Sequence, residues 1–234
     1  MTSNNDTQRL FLSDLHLESP DSPQFRGLAR LLGTHPAREI YLLGDIVGLW
    51  IGDDDDAPLA EALKALLSRT AGHANVFLMH GNRDFLFGNA FCHEAGVTLL
   101  PDPWLLEDGT LLSHGDGYCT GDAEYQTFRA MVRSETWQAD ILAKSIDERR
   151  AFGQALRAQS RETNANKAQN IMDVNAAAVG KDMSTHRART LIHGHTHRPG
   201  FHPEQSRYVL GAWERCGWFI EQAGQNFTLN VFKL

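Results

Sequence analysis

Hydrophobic and polar positions alternate along the first hundred residues in a way that predicts strands and helices in turn. Short apolar runs at Arg9–Ser13, Glu39–Leu43 and Asn75–Met79 predict buried strands. Between these runs, Gln24–Leu32 and Ala57–Leu67 carry apolar residues at the spacing of one helix face. A strand–helix–strand–helix–strand order is typical of an α/β core.

Further apolar runs continue the pattern on both sides of a long polar segment. We expect strands at Val97–Leu100, Trp104–Glu107, Thr110–Ser113, Thr190–Ile192, Tyr208–Leu210, Gly217–Glu221 and Phe227–Phe232. The segment from Asp122 to Arg187 is rich in Glu, Gln, Arg and Ala, which predicts helices. We therefore predict a core made of residues 1–121 and 188–234. Residues 122–187 would be inserted into it as a helical cap that covers a functional site of the core.

Composition and charge narrow the class of protein. The 234 residues are 42% hydrophobic and 22% charged, which is ordinary for a soluble globular chain. Met1–Gln8 is polar, and no apolar run approaches the ~18 residues that span a bilayer, so we expect a cytoplasmic protein. The net charge of −7 argues against nucleic acid as a partner. Cys92, Cys119 and Cys216 are too far apart to suggest a disulfide framework.

Five short polar motifs each follow a predicted strand. They are Asp14-Leu15-His16, Gly44-Asp45, Gly81-Asn82-Arg83-Asp84, His114-Gly115-Asp116 and Gly194-His195-Thr196-His197. Because the carboxyl ends of neighbouring strands meet in one crevice of an open α/β sheet, we expect these motifs to converge. In Asp14-x-His16 and His195-x-His197, the spacing of two residues lets both side chains point the same way from an extended segment.

The side chains of these motifs have the chemistry of a metal site. Carboxylate, carboxamide and imidazole ligands without thiolate suit Mn²⁺, Fe or Zn²⁺. Any one motif alone is more often structural, but five in order favour a metal centre. Seven ligands exceed what one ion needs and serve two ions if Asp45 bridges them. The candidate ligands are Asp14, His16, Asp45, Asn82, His114, His195 and His197, and the candidate catalytic residues among them are Asp45, Asn82, His114 and His195.

Other acids and histidines near the motifs are assigned different roles. Asp84 and Asp116 are expected to hold loops and orient ligands. His80 and His193 continue apolar strands and are expected either in the core or next to the metal ligands, where they would help to hold them. Asp53–Asp56 could be a cluster of metal ligands, but an acidic loop is the simpler interpretation.

The five motifs, in this order, resemble the calcineurin-like metallophosphoesterase superfamily. That resemblance implies an α/β fold, a four-layer αββα sandwich, with a two-metal centre between the ends of its sheets. Longer stretches are similar to the UDP-2,3-diacylglucosamine pyrophosphatases of Gram-negative lipid A synthesis, and the similarity covers nearly the whole chain. These stretches are Gly44–Asp54, His80–Leu86, His114–Arg129, Ser160–Lys167, Ile171–Asn175, Ile192–Pro199 and Val209–Trp213.

The resemblance implies an activity, a cofactor and a set of contacts. It implies two Mn²⁺ ions held by the seven candidate ligands. It also implies hydrolysis of UDP-2,3-diacylglucosamine by water at the α-phosphorus, giving UMP and 2,3-diacylglucosamine 1-phosphate (lipid X). The implied substrate contacts are Asn82, Arg83, Asp122, Ser160, Asn164, Lys167 and His195. A weak, peripheral contact with the inner-membrane surface is implied too, whereas no obligate protein partner is indicated.

Three of the implied contacts share one face of a predicted helix. Ser160, Asn164 and Lys167 fall at i, i+4 and i+7, and Arg157 lies one turn earlier. Such a row could hold a phosphorylated sugar through charge-assisted hydrogen bonds. A solvated polar face is the alternative interpretation.

Arg83 stands where many members of the superfamily carry a histidine that protonates an alkoxide leaving group. A phosphate monoester has a second pKa of about 6, so it leaves without a proton. An arginine can instead neutralise phosphate charge through two parallel hydrogen bonds. Arg83 therefore favours a pyrophosphate substrate over a phosphoprotein.

The predicted cap offers candidate contacts for acyl chains and lipid head groups, although ordinary helix packing and solvation are the alternatives. The apolar candidates are Phe128, Met131, Val132, Ile141, Ile171 and Met172, and the cationic ones are Arg149, Arg150, Arg157 and Arg161. Two other functions stay open. One is another two-metal nucleotide pyrophosphatase or phosphodiesterase, and the other is a non-catalytic scaffold with the same fold.

Overall fold

The computed structural model describes residues 8–165 and 173–234. Strands and helices alternate in its first part, and four helices separate the two groups of strands. In chain order the elements are β1 (Gln8–Leu12), α1 (Pro23–Thr34), β2 (Glu39–Leu43), α2 (Pro58–Ala71), β3 (Asn75–Met79), α3 (Asn89–Ala95), β4 (Thr98–Leu100), β5 (Trp104–Leu105), β6 (Thr110–Ser113), α4 (Ala123–Val132), α5 (Glu135–Leu142), α6 (Ile146–Ala165), α7 (Ala176–His186), β7 (Thr190–His193), β8 (Gly200–His202), β9 (Arg207–Val209), β10 (Cys216–Ala223) and β11 (Asn226–Lys233).

These strands form two sheets. The first sheet has the order β11-β10-β1-β2-β3-β4, in which β1 to β4 run parallel. The second sheet has the order β5-β6-β7-β9-β8, in which β6, β7 and β9 run parallel. Each sheet therefore brings the carboxyl ends of adjacent parallel strands to one edge.

The alternation of side chains along the strands creates the layers. In β1, Leu10 packs with the apolar faces of α1, α2 and α3, whereas Phe11 faces the second sheet. In β7, Ile192 faces the first sheet, and Leu191 packs against Val179 of α7. The resulting order of helices, sheet, sheet and helix confirms the predicted αββα sandwich.

Most of the predicted elements are confirmed, with differences at their ends. Both predicted helices of the first part are present and extend beyond the predicted range, to Thr34 and Ala71. The helical character predicted after Asp122 is also confirmed. However, α7 packs against the second sheet through Val179, so it is a layer of the sandwich and not part of the cap that was predicted over residues 122–187. Helix α3 has only seven residues, so its apolar positions are too few to show a helical period.

Helices α4, α5 and α6, called the cap helices below, contact the loops that follow the first three strands. Gly153 of α6 packs against the side chain of Leu49, which follows β2. Arg157 donates to Glu18, which follows β1, at 2.8 Å. Arg133 at the end of α4 donates to the carbonyl of Gly81, which follows β3, at 3.2 Å.

The acidic loop Asp53–Asp56 anchors the start of α6. Arg149 is only 3% exposed, and its guanidinium donates to both carboxylate oxygens of Asp54, at 2.7 and 2.5 Å. Arg150 donates to Asp56 at 2.7 Å. The loop is thus an ion-pair anchor, in agreement with the simpler interpretation of the sequence. The expectation of a lipid contact is wrong for Arg149, because its side chain is buried.

Asp53 has a different task, which is to cap α3. Its carboxylate accepts hydrogen bonds from the backbone N–H of Gly88 at 2.8 Å and of Phe91 at 2.9 Å. It also accepts from the indole of Trp50 at 3.3 Å. Helix α3 has no side-chain cap of its own, so a remote loop satisfies its first N–H groups.

Asp53→Ala is expected to lower the free energy of unfolding by about 1–3 kcal/mol, because it removes an ionised acceptor from several partly buried donors. Urea unfolding monitored by circular dichroism measures the change. The matched control is Asp56→Ala, which removes an exposed carboxylate of the same loop and should change little. Equal effects of the two substitutions would contradict the capping role.

Candidate metal centre

Five strands deliver the predicted ligands to one end of the sandwich. Asp14, Asp45 and Asn82 follow β1, β2 and β3, which are neighbours in the first sheet. His114 and His195 follow β6 and β7, which are neighbours in the second sheet. Parallel pairing within each sheet aligns these strand ends, so the loops meet where the two sheets face each other.

The backbone at the predicted ligands is unusual. Among the described residues, seven non-glycine residues have a positive φ, and five of them are predicted ligands. Their φ angles lie between 48° and 65°. A left-handed conformation costs an L-residue roughly 1–2 kcal/mol. Such strain persists only where the surroundings impose it, as at binding sites. The five residues are Asp14, His16, Asp45, His195 and His197.

Two glycines allow the loops to approach each other. Gly44 has a φ of 85°, which suits glycine, and a Cβ there would overlap the backbone of Gly81. A Cβ on Gly81 would in turn overlap the backbone nitrogen and the carboxylate of Asp45. The loops after β2 and β3 therefore fit together only because both positions lack a side chain.

The first group of ligands gathers around Asp14. The Nε2 atom of His197 lies 3.3 Å from Oδ1 of Asp14, and Nε2 of His16 lies 3.9 Å from the same oxygen. His16 Nε2 is also 3.3 Å from Oδ2 of Asp45. One ligand atom from each of Asp14, His16 and His197 lies within 4.8 Å of the others, which is compact enough to surround a metal ion.

The second group begins at the other oxygen of Asp45. Oδ1 of Asp45 lies 3.8 Å from Nε2 of His114. That same imidazole nitrogen is 3.0 Å from Oδ1 of Asn82, which is 2.8 Å from Nδ1 of His195. The carboxylate of Asp45 thus lies between the two groups, as a bridging ligand should.

One carboxylate oxygen of Asp14 supports the presence of a cation at this site. Oδ1 of Asp14 is buried, yet no described residue gives it a well-formed hydrogen bond. Its partner oxygen Oδ2 accepts from the hydroxyl of Ser13 at 2.5 Å and from the N–H of His195 at 2.9 Å. A buried carboxylate oxygen without a donor is costly unless a cation satisfies it.

In this cluster, burial and neighbouring charges shift the pKa values of the carboxylates and of His114 in opposite directions. Burial alone would raise the pKa of Asp14, but the imidazoles of His197 and His114 lower it to about 2. Burial would lower the pKa of His114, but Asp45, Asp116 and Asp14 raise it to about 9. The carboxylates therefore favour positive charge at the centre. Burial and the proximity of His114 lower the pKa of His195 to about 4, so this imidazole is neutral.

Residues around the ligands hold their loops, as expected for Asp84 and His193. Asp84 accepts from the N–H groups of Asp45 at 3.1 Å, of Ile46 at 2.6 Å and of Gly81 at 2.7 Å. Burial, together with Asp45, raises the pKa of this carboxyl to about 7.

His193 is buried beside the ligand loop of β7. Its Nε2 accepts from the guanidinium of Arg207 at 3.0 Å, and its Nδ1 donates to the carbonyl of Gly194 at 2.9 Å. Burial lowers the pKa of this imidazole to about 3, so it is neutral. The pair of bonds fixes its tautomer and the peptide that precedes His195.

The implied substrate contacts are only partly described. Arg83 lies against the centre, with Nε 3.3 Å from Oδ2 of Asp45 and a side chain that is 32% exposed. Asp122 caps α4 by accepting from the N–H of Tyr125 at 3.1 Å. Ser160 is exposed on α6. The side chain of Asn164 and the whole of Lys167 lie outside the described residues, so these assignments stay predictions.

A cluster on α4 was not foreseen from the sequence. The side chains of Tyr125, Arg129 and Arg133 are four residues apart, and all three donate to Oδ2 of Asp116, at 2.7, 2.8 and 3.1 Å. The regular spacing on a predicted helix was the available signal. It gave no indication that the shared acceptor would be an acid two residues beyond the ligand His114.

Comparison with known proteins agrees with this geometry. The family described as calcineurin-like phosphoesterase matches residues 8–199. The chain therefore belongs to the calcineurin-like phosphoesterases.

Relatives with higher sequence identity place the chain in a smaller group within this family. A protein of Cellvibrio japonicus is 43% identical, over 94% of this chain and 97% of the relative. A protein of Chromohalobacter salexigens is 46% identical, over 90% and 91%. A protein of Salmonella typhi is 40% identical, over 96% and 99%. All three are named UDP-2,3-diacylglucosamine hydrolase. The chain thus shares a family with proteins of this name.

Gly81→Ala is expected to displace Asp45, because the added Cβ would overlap its backbone and its carboxylate. We expect a loss of roughly 1–3 kcal/mol in the free energy of unfolding and weaker binding of a divalent cation, for which Mn²⁺ serves as the probe. Thermal unfolding with and without Mn²⁺ measures both. Gly180→Ala in α7 is the matched control, because its Cβ has open space, and it should stabilise the fold by roughly 0.5–1 kcal/mol. Unchanged Mn²⁺ binding in Gly81→Ala would rule out the close packing described here.

Proposed function

We propose that this protein hydrolyses the pyrophosphate bond of UDP-2,3-diacylglucosamine, with attack of water on the α-phosphorus. The products are UMP and 2,3-diacylglucosamine 1-phosphate, and the reaction belongs to lipid A biosynthesis. The relatives named UDP-2,3-diacylglucosamine hydrolase, at 40–46% identity over nearly the whole chain, support the substrate. The observation that carries the reaction type is the compact set of oxygen and nitrogen ligands with Asp45 at its middle.

Two Mn²⁺ ions are the proposed cofactors. Asp14, His16 and His197 would hold one ion, and Asn82, His114 and His195 the other, with Asp45 shared between them. When bound, such ions supply Lewis acidity that neutralises phosphoryl charge and lowers the pKa of the attacking water. His114 is held for this task, because its Nδ1 donates to the carbonyl of Leu43 at 2.9 Å and its Nε2 points into the cluster.

Arg83 is proposed to bind the substrate phosphates. Its backbone N–H donates to Oδ1 of Asp45 at 2.8 Å, and its guanidinium lies at the opposite oxygen of the same carboxylate. A third of the side chain is exposed, so the guanidinium can also meet a ligand from solvent. The leaving group is a phosphate monoester, which departs as an anion, and an arginine stabilises that charge without giving up a proton.

The cap helices are proposed to face the lipid part of the substrate and, weakly, the membrane. Met131, Leu142 and Phe152 are 40–49% exposed, which leaves apolar surface on each of these helices.

Val132 and Ile141, two of the residues predicted to line the acyl-chain site, are buried instead. Ile171 and Met172 lie outside the described residues. Within the described part of the chain, no helix has the length and apolar character needed to cross a bilayer.

His16→Ala is expected to reduce UMP release more than about 100-fold, because even the outer partners of metal ligands contribute 10–100-fold. Release of UMP from UDP-2,3-diacylglucosamine measures the activity, and circular dichroism checks the fold. His202→Ala, at a partly exposed position on the second sheet, is the matched control and should retain activity. Turnover by His16→Ala at the unsubstituted rate would remove His16 from the centre.

Removal of divalent ions should abolish hydrolysis and lower the unfolding temperature, since the buried carboxylates of Asp14 and Asp45 then lose their compensating charge. Dialysis against a chelator, followed by addition of Mn²⁺, Mg²⁺ or Zn²⁺, measures both effects. We expect Mn²⁺ to restore activity best. Full activity in the chelated protein would contradict the two-metal proposal, and restoration by Zn²⁺ alone would contradict the choice of Mn²⁺.

The substrate is tested by comparing UDP-2,3-diacylglucosamine with ADP-ribose and dinucleotide polyphosphates at equal concentrations. We expect kcat/KM for the lipid-bearing sugar nucleotide to exceed the others by at least about 100-fold, because the cap helices add apolar contacts that only this substrate can use. A preference for the dinucleotides would indicate a different nucleotide pyrophosphatase. Metal binding without hydrolysis of any of them would indicate a scaffold.

A further inference from the structure

We propose that Arg133, the residue that directly follows the cap helix α4, is a positioning residue for one half of the metal centre. It fixes the peptide between Gly81 and Asn82, and it thereby sets where the side chain of Asn82 meets His114 and His195. This inference rests on the proposed two-metal function and adds to it a specific link between the cap helices and one of the two ions.

The contacts of Arg133 join two ligand loops. One nitrogen of its guanidinium, Nη2, donates to the carbonyl of Gly81 at 3.2 Å and to Oδ2 of Asp116 at 3.1 Å. Gly81 precedes the ligand Asn82, and Asp116 follows the ligand His114 by two residues. A single nitrogen thus ties the loop after β3 to the loop after β6, which belong to different sheets.

Gly81 is held through both of the peptides that flank it, and Arg133 holds the one that leads to Asn82. The N–H of Gly81 donates to Oδ1 of Asp84 at 2.7 Å, and its carbonyl accepts from Arg133. The carbonyl of Gly81 and the N–H of Asn82 belong to the same planar peptide, so fixing one fixes the other. Rotation of this peptide would carry the Asn82 side chain away from His114 and His195, which lie 3.0 and 2.8 Å from its Oδ1.

Other donors of α4 do not duplicate this link. Tyr125 and Arg129 also donate to Oδ2 of Asp116, at 2.7 and 2.8 Å. Their described hydrogen bonds end at Asp116, and only Arg133 continues to Gly81. The buried carboxylate of Asp116 therefore keeps two donors when Arg133 is replaced. We expect such a variant to fold, since it leaves no new buried charge unpaired.

The effect should be confined to one ion. Asp14, His16 and His197 have no part in the Gly81–Asn82 peptide, and the α4 cluster bonds to none of them. Loss of Arg133 should therefore weaken the ion that would be held by Asn82, His114 and His195, and spare the other. General destabilisation would weaken both ions alike, so the difference between them separates positioning from a purely structural role.

The experiment is a calorimetric titration of the metal-free full chain with Mn²⁺, for Arg133→Met and for the matched control Arg150→Met. Methionine keeps an apolar stem of similar length without a donor. Arg150 is another ion-paired arginine, on the cap helix α6, but it bonds to the acidic loop. We expect two ions in the unsubstituted chain and in Arg150→Met. In Arg133→Met, one ion should bind as before and the other about 10–100-fold more weakly.

Arg133→Lys tests the geometry of the link. Its ammonium keeps the charge but lacks the planar fork, so we expect weakening of the same ion by an intermediate factor. If Arg133→Met does not fold, Arg133→Lys alone decides, and unaltered binding of both ions in it overturns the proposal. Equal weakening of the two ions in Arg133→Met, or no weakening, overturns it as well. The titration needs no substrate, so an error in the proposed substrate would leave its result intact, whereas fewer than two ions in the unsubstituted chain would overturn both.

Discussion

The burial of two carboxylates side by side is the constraint on which the rest of this structure depends. Asp14 and Asp45 are fully enclosed, and neither could stay ionised there without compensation. Imidazoles from both sheets and backbone N–H groups of neighbouring loops supply part of it. Oδ1 of Asp14 still receives no well-formed hydrogen bond from any described residue, although the imidazole of His197 lies 3.3 Å away. The fold thus gathers negative charge at a place that only cations can fully satisfy, and the proposed chemistry uses that property.

The loops that carry the ligands are shaped to keep the charges together. Five predicted ligands have left-handed backbone conformations, which shorten each turn after a strand and aim the side chains into one space. Glycines at Gly44 and Gly81 let the loops after β2 and β3 touch through their backbones. Asp84 then joins these loops by accepting three N–H groups, so the cluster is held before any ligand arrives.

Much of this arrangement could be predicted from the sequence, because strand ends are encoded locally. An apolar run that ends just before Asp14, Asp45 or His114 predicts a strand. The polar residue then marks the edge of the sheet at which that strand ends. The layers also follow from a local rule, the alternation of side chains along each strand.

The short helix α3 could not be predicted in this way, because its cap comes from Asp53, 35 residues away. Contacts of Arg133 and Arg149 depend on how the cap helices meet the core, and no local pattern determines that.

The predicted metal ligands come from two separate sheets, and this has a consequence for residues that contact none of these ligands. Three loops extend from the first sheet and two from the second, so the distance between Asp14 and His114 depends on the spacing of the sheets. That spacing is maintained by an apolar layer that includes Phe11, Leu112 and Ile192. The volumes of the side chains in this layer therefore set the separation of the predicted ligands, even though these side chains are chemically inert.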